Sequence, residues 1–473
     1  MPVIFITDAL VFLLLFMVAV FVGYTFRHEH LRAPWRLVAR NRPAMAAAVV
    51  LSFYIVIGLL DSLHFQPVLE GPAQHGKQYS TEILSVLDVM AGHLRAHTET
   101  TYSAPLATHS FAKEVITLPD GSEIRDFPRL TYGGSHLVGQ SRSVGADIAI
   151  KTLTGMVLGV LLWLVIAAGV VLMLARNCRE NFRTTLRRIF RHRGGIPWHI
   201  ILGTLGILVI SGTAIVWLSN FYHVFGTDKV GQDVLYQSLK SVRTGLLIGT
   251  LTTLIMLPFA IALGIMAGYF RGWVDDVIQY VYTTLNSIPG VLLIAAAILV
   301  LDVYMTNNAE SFTSIERRAD MRLLYLCMIL GIMSWTGLCR LLRGETLKLR
   351  EMDYVLAAQC FGAGHAAIMV RHILPNVMHI VIISIVLDFS GLVLAEAVLA
   401  YINIGVDPNM SSWGNMINSA RLEMAREPVV WWSLATAFFS MLALVLPANI
   451  FADAVRDAFD PRIRGSGLGA RDR

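Results

Sequence analysis

The sequence predicts an all-α polytopic membrane protein with about nine transmembrane helices and a small extracytoplasmic α/β insertion. Three observations carry that expectation. Hydrophobic residues make up 55% of the 473 positions and charged residues only 15%, against about 25% charged in soluble domains. Several apolar runs reach the roughly 20 residues that a membrane-spanning helix requires. Arginines cluster in short stretches between those runs, the pattern of loops retained on the cytoplasmic side.

The apolar runs fall at about 8–25, 44–61, 150–175, 198–218, 245–269, 287–306, 321–338, 378–400 and 430–450. The first has no basic leading region and no clear small-x-small cleavage site, so it reads as a retained span. Arg27, Arg32, Arg36, Arg40 and Arg42 follow it. Arg176, Arg179, Arg183, Arg187, Arg188, Arg191 and Arg193 follow the third run, and Arg456, Arg462, Arg464, Arg471 and Arg473 close the chain. With nine spans these groups share one side with Arg340, Arg343, Lys348, Arg350 and Arg371. The C-terminus is therefore expected in the cytoplasm and the N-terminus outside. The net charge of +5 is a membrane-topology signal with a second use in anionic-lipid contact, not a nucleic-acid patch.

The expected organisation is two N-terminal spans in 1–62, an extracytoplasmic segment in 63–148, a third span with a basic joint in 149–197, a six-span region in 198–465 and a tail in 466–473. In the extracytoplasmic segment Ile83, Leu84, Leu87, Met90 and Leu94 have helical spacing, with Ser80 and Thr81 placed to cap a helix over 80–97. Residues 115–124 read as a hairpin around Asp120-Gly121. The competing reading of the segment is a partly disordered linker. All four cysteines, Cys178, Cys327, Cys339 and Cys360, lie outside it, so it has no disulfide of its own.

The polar stretch 339–376 reads as short helices separated by a tight turn. Ala357 and Ala358 would allow a partner to approach closely, and Gly362 would supply a bend or a positive φ. Pro375 would start or end a helix at the membrane edge. A purely structural connector is the competing reading of the spacing alone.

Other segments around this loop form an ordered set. They are Phe225-Gly-Thr-Asp228, Gly231-Gln-Asp-Val-Leu235, Gly268-Tyr-Phe-Arg-Gly-Trp-Val-Asp275, Asn286-Ser-Ile-Pro-Gly290, Ser334-Trp-Thr-Gly337, Ser412-Trp-Gly414 and Asp457-Ala-Phe-Asp-Pro-Arg462. In this order and spacing, over about 220–465, the chain resembles the inner-membrane permease subunits of bacterial dipeptide and oligopeptide ATP-binding cassette (ABC) importers. The resemblance implies a six-helix type I importer permease core at the C-terminal side, with 339–376 as the coupling loop. It implies that Ala357, Ala358 and Gly362 contact a separate ATPase, with Leu374 and Pro375 closing the motif.

The implied partners are a second permease subunit in a heterodimer, two ABC ATPase subunits and an extracytoplasmic substrate-binding protein, besides membrane lipids. The implied place is the bacterial inner membrane. No catalytic residue is expected: no G-x-x-x-x-G-K-[ST] phosphate loop is present, so ATP and Mg would be bound by the partner. No metal site is expected either, since the His28 and His30 pair lacks further ligands.

Three positions depart from the pattern of that family. Leu356 stands where glutamate is usual, Gln232 where arginine is usual, and Asn403 where glycine is usual. Asp388 and Glu396, eight residues apart in the eighth run, would share a helix face and line the translocation pathway. The competing reading of Glu396 is packing against the 405–414 loop. Asp302 reads as interfacial, His372 as a capping residue, and Trp431 and Trp432 as an interfacial belt. A ligand-sensing membrane receptor is the alternative function, motivated by the extracytoplasmic segment. It lacks a cytoplasmic segment long enough for an output domain. The substrate is open among dipeptides, longer peptides, nickel and peptide-like compounds.

Overall fold

A computed structural model describes residues 2–27, 29–69, 78–80, 82–117, 123–137, 143–179, 181–190, 195–308 and 314–459. The expected turn at Asp120-Gly121, the Thr81 cap position, His28, Arg191, Arg193 and the tail beyond 459 lie outside these. Among the described residues nine helices are long and apolar enough to cross a membrane. They are Ile6–Arg27, Arg42–Asp61, Val144–Cys178, Trp198–Ser219, Val234–Phe270, Gly290–Asn307, Ile315–Leu349, Leu374–Tyr401 and Trp432–Phe459. They coincide one for one with the nine apolar runs. Several extend well past the runs because polar, amphipathic turns continue them beyond the apolar core.

The chain forms two compact units, each drawn from separate stretches of sequence. The first comprises Met1–Val3, Arg36–Thr244 and Ser411–Pro447. Its second, third and fourth spans pack as a bundle, the third and fourth most extensively. A Cβ at Gly155 or Gly159 would sit 2.8 Å from the Cα of Ala214 or Ile210. Glycines four apart thus bring the two helix backbones together, the small-xxx-small mode that suits a medium without a hydrophobic effect. One turn on, the Trp163 indole donates to the Leu202 carbonyl at 2.9 Å.

The segment expected outside the membrane, 63–148, is part of this unit. Pro2–Val3, His64–Phe65 and Leu84–Ser85 make a three-stranded antiparallel sheet with His64–Phe65 in the centre. Glu114–Thr117 pairs with Glu123–Asp126, with Val115 opposite Arg125, the strands of the expected hairpin. The helix expected from Ser80 starts instead at Val86 and is short, ending at Met90; a second short helix spans Gly92–Ala96. Ser85 is the cap: its Oγ accepts from Asp88 N, and Asp88 bonds back to Ser85 N, a full capping box. Leu87, Met90 and Leu94 fall on the two short helices, but strand pairing claims Leu84 and Ser85 before the helix can begin.

The second unit comprises Ile4–Trp35, Gly245–Met410 and Ala448–Arg473. It contains the first span, most of the fifth, and the sixth, seventh and eighth. The seventh span is its axis, contacting the first, sixth and eighth. Cys327, Leu323, Leu326 and Leu342 on the seventh span are fully buried. Thr7 on the first span bonds through both its hydroxyl and its backbone N–H to the buried Asp320 carboxylate.

Candidate functional site

The 339–376 stretch lies wholly in the second unit and is built as the sequence suggests, from short helices about a tight turn. The seventh span runs to Leu349. A helix Asp353–Cys360 follows, then a helical turn at His365–Ile368 and one wide turn at Met369–Ile373 that leads into the eighth span. Pro375 occupies the first turn of that span.

The turn itself explains the spacing of Ala357, Ala358 and Gly362. Gly362 N donates to Gln359 O and Ala363 N donates to Ala358 O, both at 3.0 Å. That pair of bonds is the Schellman termination, which places a left-handed residue just past the helix end. Gly362 has φ +77°, and a Cβ there would meet nothing within 4 Å. Glycine is therefore favoured there by backbone conformation rather than by lack of space. Ala358 and Ala363, the two residues that the motif brings together, both pack against the core of this unit.

Burial then divides the loop into two sides. Val355, Ile368, Ile373 and Val377 are fully buried, in one cluster with Ile265, Tyr269 and Leu342. Ala358 and Leu374 are half-buried, while Ala357, Gly362 and Pro375 are exposed. Beside them Leu356 is 43% exposed and Phe361 91% exposed. An aromatic ring almost wholly in solvent at the turn was not singled out from sequence. Its signal was available: an apolar residue directly before the helix-stopping glycine.

The arginines of this stretch do more than mark topology. Arg343 makes a two-bond ion pair with Asp275, at 2.5 and 2.7 Å. That pairing holds the Asp275 carboxyl below its ordinary range, more strongly than burial raises it. Arg350 donates to the Tyr269 carbonyl at 2.6 Å, and Tyr269 OH meets His365 Nδ1 at 2.9 Å. Arg340 lies over the Tyr282 ring, 5.3 Å from its centre. Arg271 pairs with Glu351 at 2.6 Å. Gly268 allows the fifth and seventh spans to meet, since a Cβ there would lie 2.6 Å from Thr346 Cβ. The Gly268 to Asp275 segment is thus the seat on which the loop rests.

The His372 carbonyl accepts locally from Asn376 Nδ2 at 2.7 Å, and its ring lies 6.4 Å from that of Tyr354. Asp302 pairs with Arg322 at 3.4 Å. Asp388 is exposed in this chain, and Glu396 is only 3% exposed. A cavity of about 290 Å³ in the same unit is lined by Asn286, Ile288, Gly290, Met333 and Ser334 among others. Two of the ordered segments, at 286–290 and 334–337, therefore converge, and Thr336 Oγ1 donates to Asn286 Oδ1 at 3.2 Å.

In the first unit the 225–235 segments are locked by the 63–148 segment. Gly231, at φ +76°, accepts from Glu99 N, and a Cβ on it would overlap the Glu99 carbonyl. Glu99 accepts from Thr131 N, Tyr132 N and Gly133 N at 2.8, 2.9 and 3.1 Å. His223 bridges Glu99 and Asp233, at 3.3 and 2.7 Å, and all three are buried. Burial opposes the Glu99 charge, but His223 and the three N–H donors overturn it and hold its pKa at about 2. Burial opposes a charged His223 too, yet the two carboxylates raise it to about 9. Lys240 joins Asp61 and Asp88, at 2.8 and 3.0 Å. Gln232 contributes locally, its N–H donating to Asp228 Oδ1 at 2.9 Å.

Trp432 is not part of an interfacial belt: it is 2% exposed and donates to the Thr227 carbonyl at 2.9 Å. Trp431 beside it is 55% exposed. In the second unit, Asn403 adopts φ +61°, a conformation that asparagine tolerates better than other non-glycine residues.

A family model described as the binding-protein-dependent transport system inner membrane component matches residues 260–465. The chain is 30% identical over 245 residues to the glutathione transport system permease protein GsiD of Pectobacterium atrosepticum, covering 51% of this chain and 73% of that protein. It is 29% identical over 304 residues to the oligopeptide transport system permease protein OppC of Haemophilus influenzae, covering 60% of this chain and 90% of that protein. With OppC of Mycobacterium tuberculosis the identity is 32% over 249 residues, 53% of this chain and 79% of that protein.

Proposed function

From the premise that the chain belongs to the inner membrane components of binding-protein-dependent transport systems, we propose that 339–376 is its coupling loop. As a member it is a multi-pass transport subunit, a permease of an ABC importer, with ATP hydrolysis on a separate chain. The observation that carries the loop assignment is its two-sidedness. Val355, Ile368 and Ile373 anchor it, while Leu356, Ala357 and Phe361 face outward on a turn fixed by Gly362.

Ala357 is the small exposed surface on which an ATPase groove closes. Ala358 and Gly362 act by shaping the turn, and Leu374 and Pro375 join it to the eighth span. Closure of the ATPase pair pushes the loop, and the anchored spans rock as a body. ATP and Mg belong to that partner. The loop and the C-terminus face the cytoplasm of a bacterial cell, and the N-terminus faces outside.

The substrate class is short peptides, supported by the names of the glutathione and oligopeptide permeases to which the chain is similar. The full assembly adds a second permease, two ATPases and an external binding protein. Asp388 and Glu396, with the cavity at Asn286 and Ser334, are the proposed pathway residues. The test is reconstitution of the complete complex in proteoliposomes with a labelled tripeptide outside. ATP-dependent uptake lost on deletion of 355–363, together with loss of the co-purifying ATPase, supports the reading. An ATPase that stays bound to the deletion variant overturns the coupling assignment.

A further inference from the structure

A second cavity of about 290 Å³ lies in the first unit, where three spans end. The second span starts at Arg42 and the fourth at Trp198, so two helix N-termini lie beside it, with Ala44 N capped by Asn41 Oδ1 and Trp198 N bonded to the Ile196 carbonyl. The third span ends at Cys178 on the same side. Arg40, Arg42, Arg188 and His199 line the cavity with Gly195, and no carboxylate is among the described lining residues.

The basic groups come from separate elements. Arg40 follows the helix Glu29–Val38 and Arg42 opens the second span. Arg188 comes from the helix Phe182–Phe190 and His199 from the fourth span. Phe182–Phe190 is seated by Thr185 and Ile189, both buried, with Arg183 and Arg187 exposed. Arg188 is only partly exposed and lines the cavity, while its Nη2 donates to Cys178 Sγ at 3.3 Å. Gly195 is exposed at the cavity's edge, where a Cβ would lie 3.5 Å from Arg40 Nε.

We propose that this cavity binds a phosphate group, and that the group is the headgroup of an anionic phospholipid. Three guanidiniums offer planar, forked donors suited to phosphate oxygens. Two helix N-termini add partial positive charge at the same place. The site stands at the ends of spans, the depth at which lipid headgroups lie, and apolar side chains of Ile189, Ile196 and Trp198 border it. A bound lipid would tie the basic joint to the bundle of the second, third and fourth spans.

The experiment uses the full chain, purified and delipidated in detergent, then mixed with phosphatidylglycerol or phosphatidylcholine and read by native mass spectrometry. The variants are Arg40→Gln, Arg188→Gln and Gly195→Leu, which crowds the cavity beside Arg40 without changing charge. Arg183→Gln removes an exposed arginine of the same helix as a control. Thermal unfolding verifies that each variant folds; if Gly195→Leu does not, the arginine variants still decide.

The expected result is selective retention of phosphatidylglycerol. It falls about fivefold for each arginine removed from the cavity, falls with Gly195→Leu, and is unchanged in Arg183→Gln. Inorganic phosphate at millimolar concentration tests the source. If it displaces the lipid and protects wild type but not Arg188→Gln from unfolding, the phosphate site stands and its occupant is soluble. Equal retention by wild type and the cavity variants, or an equal loss in Arg183→Gln, overturns the proposal.

Discussion

Arg343 grips Asp275 through two parallel hydrogen bonds, Nε to Oδ1 at 2.5 Å and Nη2 to Oδ2 at 2.7 Å. The bond joins the end of the seventh span to the helix Gly272–Ser287, beneath the loop proposed to receive the ATPase. Removing either partner strands the other. A fully buried pair would cost roughly 3–5 kcal/mol on such a change. Arg343 is about a quarter exposed, so Arg343→Gln should cost less, about 1–3 kcal/mol. Thermal unfolding of the purified chain measures it. Arg343→Lys should restore little, because an ammonium cannot reproduce the fork; full recovery with lysine would show that the charge alone matters.

The Schellman turn predicts a graded series at Gly362. Its φ is +77° with open space around it, so side-chain size matters less than tolerance of the left-handed region. Gly362→Asn should retain most ATPase binding in co-purification. Gly362→Ala should cost about 1 kcal/mol, and Gly362→Val more. Equal loss in asparagine and valine variants would point to a direct contact at the glycine instead.

A pH response follows from Glu99, His223 and Asp233. The folded pKa of His223, about 9, lies above its ordinary value near 6.5. Its contribution is therefore complete below about 6.5 and is lost as pH rises through 9. Glu99, at about 2, contributes above about 4.5 and loses that contribution as pH falls toward 2. Between these limits the lock of Glu99 and Asp233 on His223 is at full strength. Proteolysis of the 82–137 region should accelerate between pH 7 and 9. His223→Gln should remove that alkaline limb while lowering protection at pH 6; an unchanged alkaline limb in this variant would assign it to another group.

What sequence alone revealed depended on how far apart the partners are. The nine spans are local features, because twenty apolar residues declare themselves without reference to anything else. The Ala357 to Gly362 turn is also local, its bonds reaching no further than five residues. Glu99 and His223 are 124 residues apart, and neither has a neighbour that advertises the other. Trp432 looked interfacial because tryptophan so often is; its acceptor, the Thr227 carbonyl, is 205 residues away. The helix expected at Ser80 failed for a related reason: His64–Phe65 pairs with Leu84–Ser85, and tertiary pairing overrides helical periodicity there.

Close packing in the first unit yields a prediction with an internal control. A Cβ at Gly159 would lie 2.8 Å from Ile210 Cα, while one at Gly169 would meet nothing within 4 Å. Both glycines are on the third span. Gly159→Ile should separate the third and fourth spans and cost about 1–3 kcal/mol by overpacking. Gly169→Ala should be neutral or slightly stabilising, since alanine favours the helix. Thermal unfolding in detergent compares the two, and similar shifts in both would remove the packing argument.

Phe361 separates association from stability. It is 91% exposed, so its ring contributes little to the fold of this chain, and Phe361→Ser should leave the unfolding temperature within a degree or so. A buried phenylalanine side chain is worth about 1.5–3 kcal/mol. If the ring enters an apolar groove of the ATPase, the same substitution should weaken co-purification by roughly 10- to 100-fold. Peptide-stimulated ATP hydrolysis by the reconstituted complex should fall in step. Phe361→Leu keeps most of the apolar area and should recover much of the loss. Undiminished association in Phe361→Ser would move the contact onto Leu356 and Ala357, the outward residues one turn earlier.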